Sequence, residues 1–152
     1  MLAIVDAGPL YAVADSSDRQ HSDCLSVFER TDLHFVIAAF AVAEASYLLG
    51  RHAGASSEAA FLLGLAGYDV EAPAQEDWPR IAELVEQYAD FPLGGADASV
   101  VALAERLQTP LVITLDHRHF SAVQPRHCDA LELLPNRNPT SSGGGDSRGR
   151  VA

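Results

Sequence analysis

Short apolar runs rich in β-branched residues alternate along the chain with longer segments whose apolar positions recur every three or four residues. Ala3-Ile4-Val5, Phe35-Val36-Ile37, Leu111-Val112-Ile113-Thr114 and Leu131-Glu132-Leu133 read as strands, with Tyr68-Asp69-Val70-Glu71 a weaker fifth. Helical periodicity fills the intervals. Pro9 suits the first turn of a short helix over Leu10 to Ala14, and Arg19 to Arg30 forms a polar-faced second one. Ala41 to His52 and Ser57 to Leu65 read as a helical hairpin broken at Gly54. Glu76 to Tyr88 aligns Ile81, Leu84, Val85 and Tyr88 on one face, and Ala96 to Leu107 stripes Val100, Val101, Ala104 and Leu107 the same way.

Strands separated by helices, with strand segments too apolar to face water on either side, predict the α/β class: a three-layer α/β/α sandwich around a central parallel sheet. Ligands of such sheets lie beyond the carboxyl ends of the strands, so polar residues just after a strand come first. The pattern predicts one domain over residues 1–135. From Asn136 the chain turns to Pro, Ser, Gly and Arg without apolar periodicity, which predicts a flexible tail over 136–152.

Composition narrows the class. A chain of 152 residues, 48% of them apolar, can close one hydrophobic core without disulfides. No run approaches the roughly eighteen apolar residues of a membrane span, and Leu2-Ala3-Ile4-Val5-Asp6 lacks the basic start of a signal peptide, so no membrane and a cytoplasmic location are expected. Cys24 and Cys128 stand far apart and read as reduced thiols. Among the six histidines only His117 and His119 are close, a weak ligand pair that reads as surface.

Four carboxylates carry the candidate chemistry. Asp6 is the only charge in the first fourteen residues and follows the first strand directly. Glu44 is the only charge between Phe35 and Gly50, Asp97 the only one from Phe91 to Ala104, and Asp116 lies just past the fourth strand. A carboxylate in an apolar neighbourhood needs compensation, because burying it unpaired costs several kcal/mol or forces protonation. Asp97 alone could cap a helix, and Glu44 alone could pair with an arginine or protonate. One shared cation site answers for all four together, since hard divalent cations take oxygen ligands and Mg²⁺ keeps several waters.

These segments resemble the PIN domain, specifically the VapC-type ribonuclease toxins. The resemblance covers about residues 1–134. It rests on Ile4-Val5-Asp6-Ala7-Gly8-Pro9-Leu10, on Glu44 in a helix after the second strand, on Leu93-Gly94-Gly95-Ala96-Asp97-Ala98-Ser99-Val100-Val101-Ala102-Leu103-Ala104, and on Thr114-Leu115-Asp116-His117-Arg118-His119-Phe120. One departure is that Ala7 and Gly8 stand where this family often has hydroxyl residues; Gly8 suits a tight strand-to-helix turn. The resemblance implies a Mg²⁺-dependent endoribonuclease, with Mn²⁺ as an alternative ion, in which Asp6 and Asp97 are central ligands and Glu44 and Asp116 complete the site. Thr114 resembles the hydroxyl that holds an acid or a water, and an ordinary strand threonine is the competing reading. A homodimer is also implied, with a cognate antitoxin that inserts a basic side chain among the acids.

The formal net charge of −11 opposes non-specific nucleic-acid binding. A bound cation and arginines from two chains along one groove reduce that objection. Arg118 is the first candidate for phosphate contact, followed by Arg51 and Arg126; each also reads as an ordinary surface arginine. All ten basic residues are arginine. Without lysine, phosphoacceptor receivers, haloacid-dehalogenase-like phosphatases and P-loop NTPases lose a required group. The alternative that survives is a non-catalytic PIN-like module binding RNA or an antitoxin peptide, with the acids recognising arginine.

Overall fold

A computed structural model describes residues 1–137. Five strands, β1 (Leu2–Val5), β2 (His34–Ala38), β3 (Asp69–Glu71), β4 (Leu111–Ile113) and β5 (Glu132–Leu134), form one sheet in the order β3-β2-β1-β4-β5, with every neighbouring pair parallel. The three-layer α/β class expected from the alternation is the fold found. All but the first two residues of the expected tail lie outside the described residues.

Each strand is joined to the next by helices. These are α1 (Ala7–Ala14), α2 (His21–Phe28), α3 (Ala39–Ala53), α4 (Ala55–Gly64), α5 (Asp77–Gln87), α6 (Gly95–Arg106) and the six-residue α7 (His117–Ala122). Gly54, at φ +86°, breaks α3 from α4 in a backbone conformation that side chains disfavour. No helix among the described residues is long and apolar enough to cross a membrane. The core is made by β1, β2 and β4 with Leu10, Ala41, Ala45, Leu84, Val100, Val101 and Phe120. β3 and β5, at the sheet edges, are more exposed, so the expectation that strands are covered on both faces holds for the central three only.

Topology positions the site. From β1 the chain steps outward to β2 and β3, then crosses back to β4 on the other side of β1. Right-handed crossovers place the helices of the outward steps and of the return step on opposite faces. Accordingly α1 packs on α2 and α3, α3 packs on α4, and α5 packs on α6. The order reverses between β1 and β4, which opens a crevice beyond their carboxyl ends. Asp6 directly follows β1, and Asp116 comes three residues after β4.

Candidate metal centre

Asp6 is fixed at the mouth of this crevice. Its backbone N–H donates to Ile113 O at 3.0 Å, extending the pairing of β1 with β4, and Asp6 then becomes the N-cap of α1. Its carboxylate is buried and accepts from the Thr114 hydroxyl at 2.8 Å. Burial pushes the Asp6 carboxyl up to about 6, and the charges of Asp97 and Glu44 add to the rise, while hydrogen bonds from Ala7 and Thr114 oppose it. Gly8 contributes space and no turn: it lies inside α1 without positive φ, and a Cβ there would meet Leu115 at 3.3 Å.

Asp97 occupies the third position of α6, whose N-cap is Gly94. Burial raises its carboxyl, and the Gly94 backbone at the N-cap opposes that rise. The charges of Asp116 and Glu44 add to the rise, and His119 opposes it. Asp97 thus stands in the first turn of α6 and is a member of the acidic group at once.

Asp116 caps α7. One carboxylate oxygen accepts the His119 backbone N–H at 3.1 Å and the other is bonded to His119 Nδ1. The Asp116 N–H donates to Thr114 Oγ1 at 3.0 Å. A single hydroxyl therefore links two of the four acids.

Glu44 departs from expectation, because it is exposed and not buried. In α3 the buried stripe is Ala41, Ala45 and Leu49, spaced by four, and Glu44 projects beside it. The burial of Ala41, Ala45 and Leu49 does not extend to its side of the helix. Its charge still acts on both Asp6 and Asp97. The structure therefore puts Asp6 within reach of the charges of Asp97 and Glu44, and Asp97 within reach of those of Asp116 and Glu44, while only Asp6 carries the full burden of burial.

The arginines divide. Arg126 is not brought to the acids: it pairs with Glu83 at 2.6 Å, and its N–H donates to Glu105. Glu105 lies eight residues along α6 from Asp97, about 12 Å down the helix. Arg51, in the last turn of α3, donates to the Tyr47 hydroxyl at 3.3 Å. Arg118 is exposed on α7 two residues from Asp116, with its guanidinium 5.3 Å from the centre of the Phe91 ring. His119 and Phe91 were not singled out from sequence as parts of this site. The Asp-x-x-His spacing, N-cap to third helical residue, is the signal that marks His119.

The donor set fits a hard divalent cation. None of Asp6, Glu44 and Asp97 is salt-bridged to a basic side chain among the described residues, and Asp116 meets only His119. Among the described residues no three His, Cys, Asp or Glu side chains close into a preformed cage. An open, all-oxygen arrangement suits an ion held by one or two carboxylates that keeps several waters.

The chain matches the PIN domain model over residues 3–124. It is 33% identical over 134 residues to Ribonuclease VapC26 of Mycobacterium tuberculosis (strain ATCC 25618 / H37Rv), covering 87% of this chain and 99% of that protein. In three dimensions it resembles VapC20 of Mycobacterium tuberculosis, a sarcin-ricin loop cleaving toxin, with a TM-score of 0.68 at 15% identity over 72% of this chain and 86% of that one. VapBC2 from Rickettsia felis, solved bound to a promoter DNA fragment, aligns with a TM-score of 0.64 at 12% identity, over 81% of this chain and 93% of that one. A toxin-antitoxin complex from Klebsiella pneumoniae aligns with a TM-score of 0.60 at 17% identity, over 80% and 92%. Acids gathered at the reversal point of a parallel sheet, together with these matches, show that the chain belongs to the PIN-domain family and, within it, to the VapC type.

Proposed function

We propose that this protein is a metal-dependent endoribonuclease acting in the cytoplasm as the toxin of a toxin-antitoxin pair. The observation that carries the reading is the placing of Asp6 just after β1 and of Asp116 just after β4, linked through Thr114, with neither Asp6 nor Asp97 salt-bridged to a basic side chain among the described residues; burial raises both of those carboxyls. Such an arrangement is costly unless a cation shares it. The 33% identity to a ribonuclease supports RNA as the substrate.

In this reading Asp6 and Asp97 hold Mg²⁺ or Mn²⁺, and Glu44 and Asp116 complete the site directly or through water. The bound ion supplies Lewis-acid polarisation of the phosphodiester and lowers the pKa of a water. The protein's own part is positioning. Thr114 holds the Asp6 and Asp116 segments in register. His119 fixes the orientation of the Asp116 carboxylate. Arg118, two residues from Asp116 and without an ion pair among the described residues, contacts RNA phosphate, and Arg51, seven residues along α3 from Glu44, is a second contact.

Two partners complete the proposal. A cognate antitoxin silences the site by placing a basic side chain among the acids. A homodimer forms through the exposed apolar residues of the α3–α4 hairpin, where Tyr47, Leu62 and Leu63 face solvent.

The test incubates purified, antitoxin-free protein with total RNA and Mg²⁺ or Mn²⁺. EDTA and the Asp6→Asn and Asp97→Asn variants serve as controls. Cleavage in the metal-containing wild-type reaction alone is expected. Cutting that persists with EDTA, or in both variants, overturns the metal mechanism.

A further inference from the structure

Phe91 belongs to the loop between α5 and α6, six residues before Asp97. The loop is anchored by the Phe91 N–H, which donates to Tyr88 O at 3.0 Å, and by the buried Leu93. The ring lies against α7. Its centre is 4.8 Å from that of His119 at an interplanar angle of 59°, and the Arg118 guanidinium carbon lies 5.3 Å from the same centre. Consecutive helical residues diverge by about 100°. One ring touching both therefore bridges two side chains that leave the helix in different directions.

His119 reaches an acid directly, and Arg118 precedes His119 on α7, two residues from Asp116. His119 grips Asp116 through its backbone N–H and Nδ1. Arg118 is exposed and has no ion pair among the described residues, whereas Arg30, Arg80, Arg106 and Arg126 are each engaged by carboxylates. A guanidinium over an aromatic face keeps its N–H edge available while its approach is restricted by the ring. In a chain with a net charge of −11, a positive group next to the acids is useful to a polyanion only if it is held in place.

We propose that Phe91 is a positioning residue for RNA cleavage: its ring holds Arg118 as a phosphate contact at a set distance from Asp116 and braces the His119 that orients Asp116. The inference rests on the ribonuclease reading, and its test is separable from that reading. Phe91→Leu keeps an apolar side chain and removes the aromatic face, whereas Phe91→Tyr keeps the face.

Binding of a randomised single-stranded RNA 20-mer pool is measured against salt in the cleavage-impaired Asp97→Asn protein. Phe91→Leu lowers the slope of log affinity against log salt by about 0.7, the value of one lost single-strand phosphate contact. Arg118→Gln lowers it equally, and the two together lower it no further. Phe91→Tyr restores it. In the active protein Phe91→Leu raises KM several-fold and lowers kcat. By NMR, the ring-current shift of the Arg118 side-chain protons disappears in Phe91→Leu and stays in Phe91→Tyr.

A Phe91→Leu slope equal to that of its parent, or a further loss in the Arg118→Gln background, overturns the proposal. Absence of RNA binding by the Asp97→Asn protein overturns it too. If the wild type binds RNA with the predicted slope yet cuts none, the ribonuclease reading falls and the role of Phe91 survives as an RNA contact-positioning one.

Discussion

The Thr114 hydroxyl donates to Asp6 Oδ2 across 2.8 Å, joining residues 108 positions apart, and Thr114 is completely buried. The same oxygen accepts the Asp116 N–H. Removing it takes one of the hydrogen bonds from the buried Asp6 carboxylate and leaves the Asp116 N–H without its acceptor, together costing about 1–3 kcal/mol. Thr114→Val should therefore destabilise the fold by that order and depress cleavage, whereas Thr114→Ser retains both contacts. Urea unfolding of the two variants checks this, and a Thr114→Val protein as stable as wild type removes the bridging role.

Asp6 gives stability a definite pH dependence. Its carboxyl lies at about 6 against an ordinary 3.8, so the folded state binds this proton more tightly than the unfolded chain. The contribution is complete below about pH 4 and is lost as pH climbs through about 6. Metal-free stability should fall across that window by on the order of 3 kcal/mol. Asp6→Asn should flatten the slope and raise Tm at pH 7.5. Equal unfolding profiles for variant and wild type between pH 4 and 7 would exclude Asp6 as the cause.

Divalent cations should reverse that penalty. An ion that binds only the folded protein stabilises it by about 2.7 kcal/mol at a hundredfold excess over its Kd. Mn²⁺ or Mg²⁺ should raise Tm at pH 7.5 beyond an NaCl control of equal ionic strength. Asp97→Asn should lose most of the increment. An undiminished rise in the Asp6→Asn, Asp97→Asn double variant would place the ion elsewhere.

Leu63 is among the most exposed large apolar residues, 77% accessible, beside Leu62 on α4. If the α3–α4 hairpin is the dimer surface, Leu63→Glu should halve the mass measured by light scattering without lowering Tm of the monomer. A Leu63→Glu protein that remains dimeric assigns the interface to another face.

The parallel sheet was legible in the chain because strand and helix periodicities are written locally, within a few residues of each position. Ala3-Ile4-Val5 and Leu111-Val112-Ile113 are apolar without alternation, which only a strand covered on both faces tolerates. Asp6 and Asp116 were legible for the same reason, as charges placed just past such runs. α7 was missed, since six residues including two histidines and an arginine show no apolar stripe.

Glu44 marks where local reading failed. Apolar sequence neighbours suggested burial, yet a helix turns each residue by about 100°, and α3 presents only Ala41, Ala45 and Leu49 to the core. Arg126 was beyond local reading for another reason: its carboxylate partner, Glu83, is 43 residues away in the chain.

The sequence by itself determined the types of every strand and of the longer helices, the covered central strands and the isolation of four acids in a chain without lysine. Tertiary structure alone decided the strand order that opens the crevice, the burial that lifts Asp6, and the meetings of Thr114 with Asp6 and of Phe91 with Arg118 and His119. The reason is physical: periodicity constrains a residue relative to its own helix or strand, whereas a contact across many residues depends on how separate elements pack, and no local pattern encodes that distance.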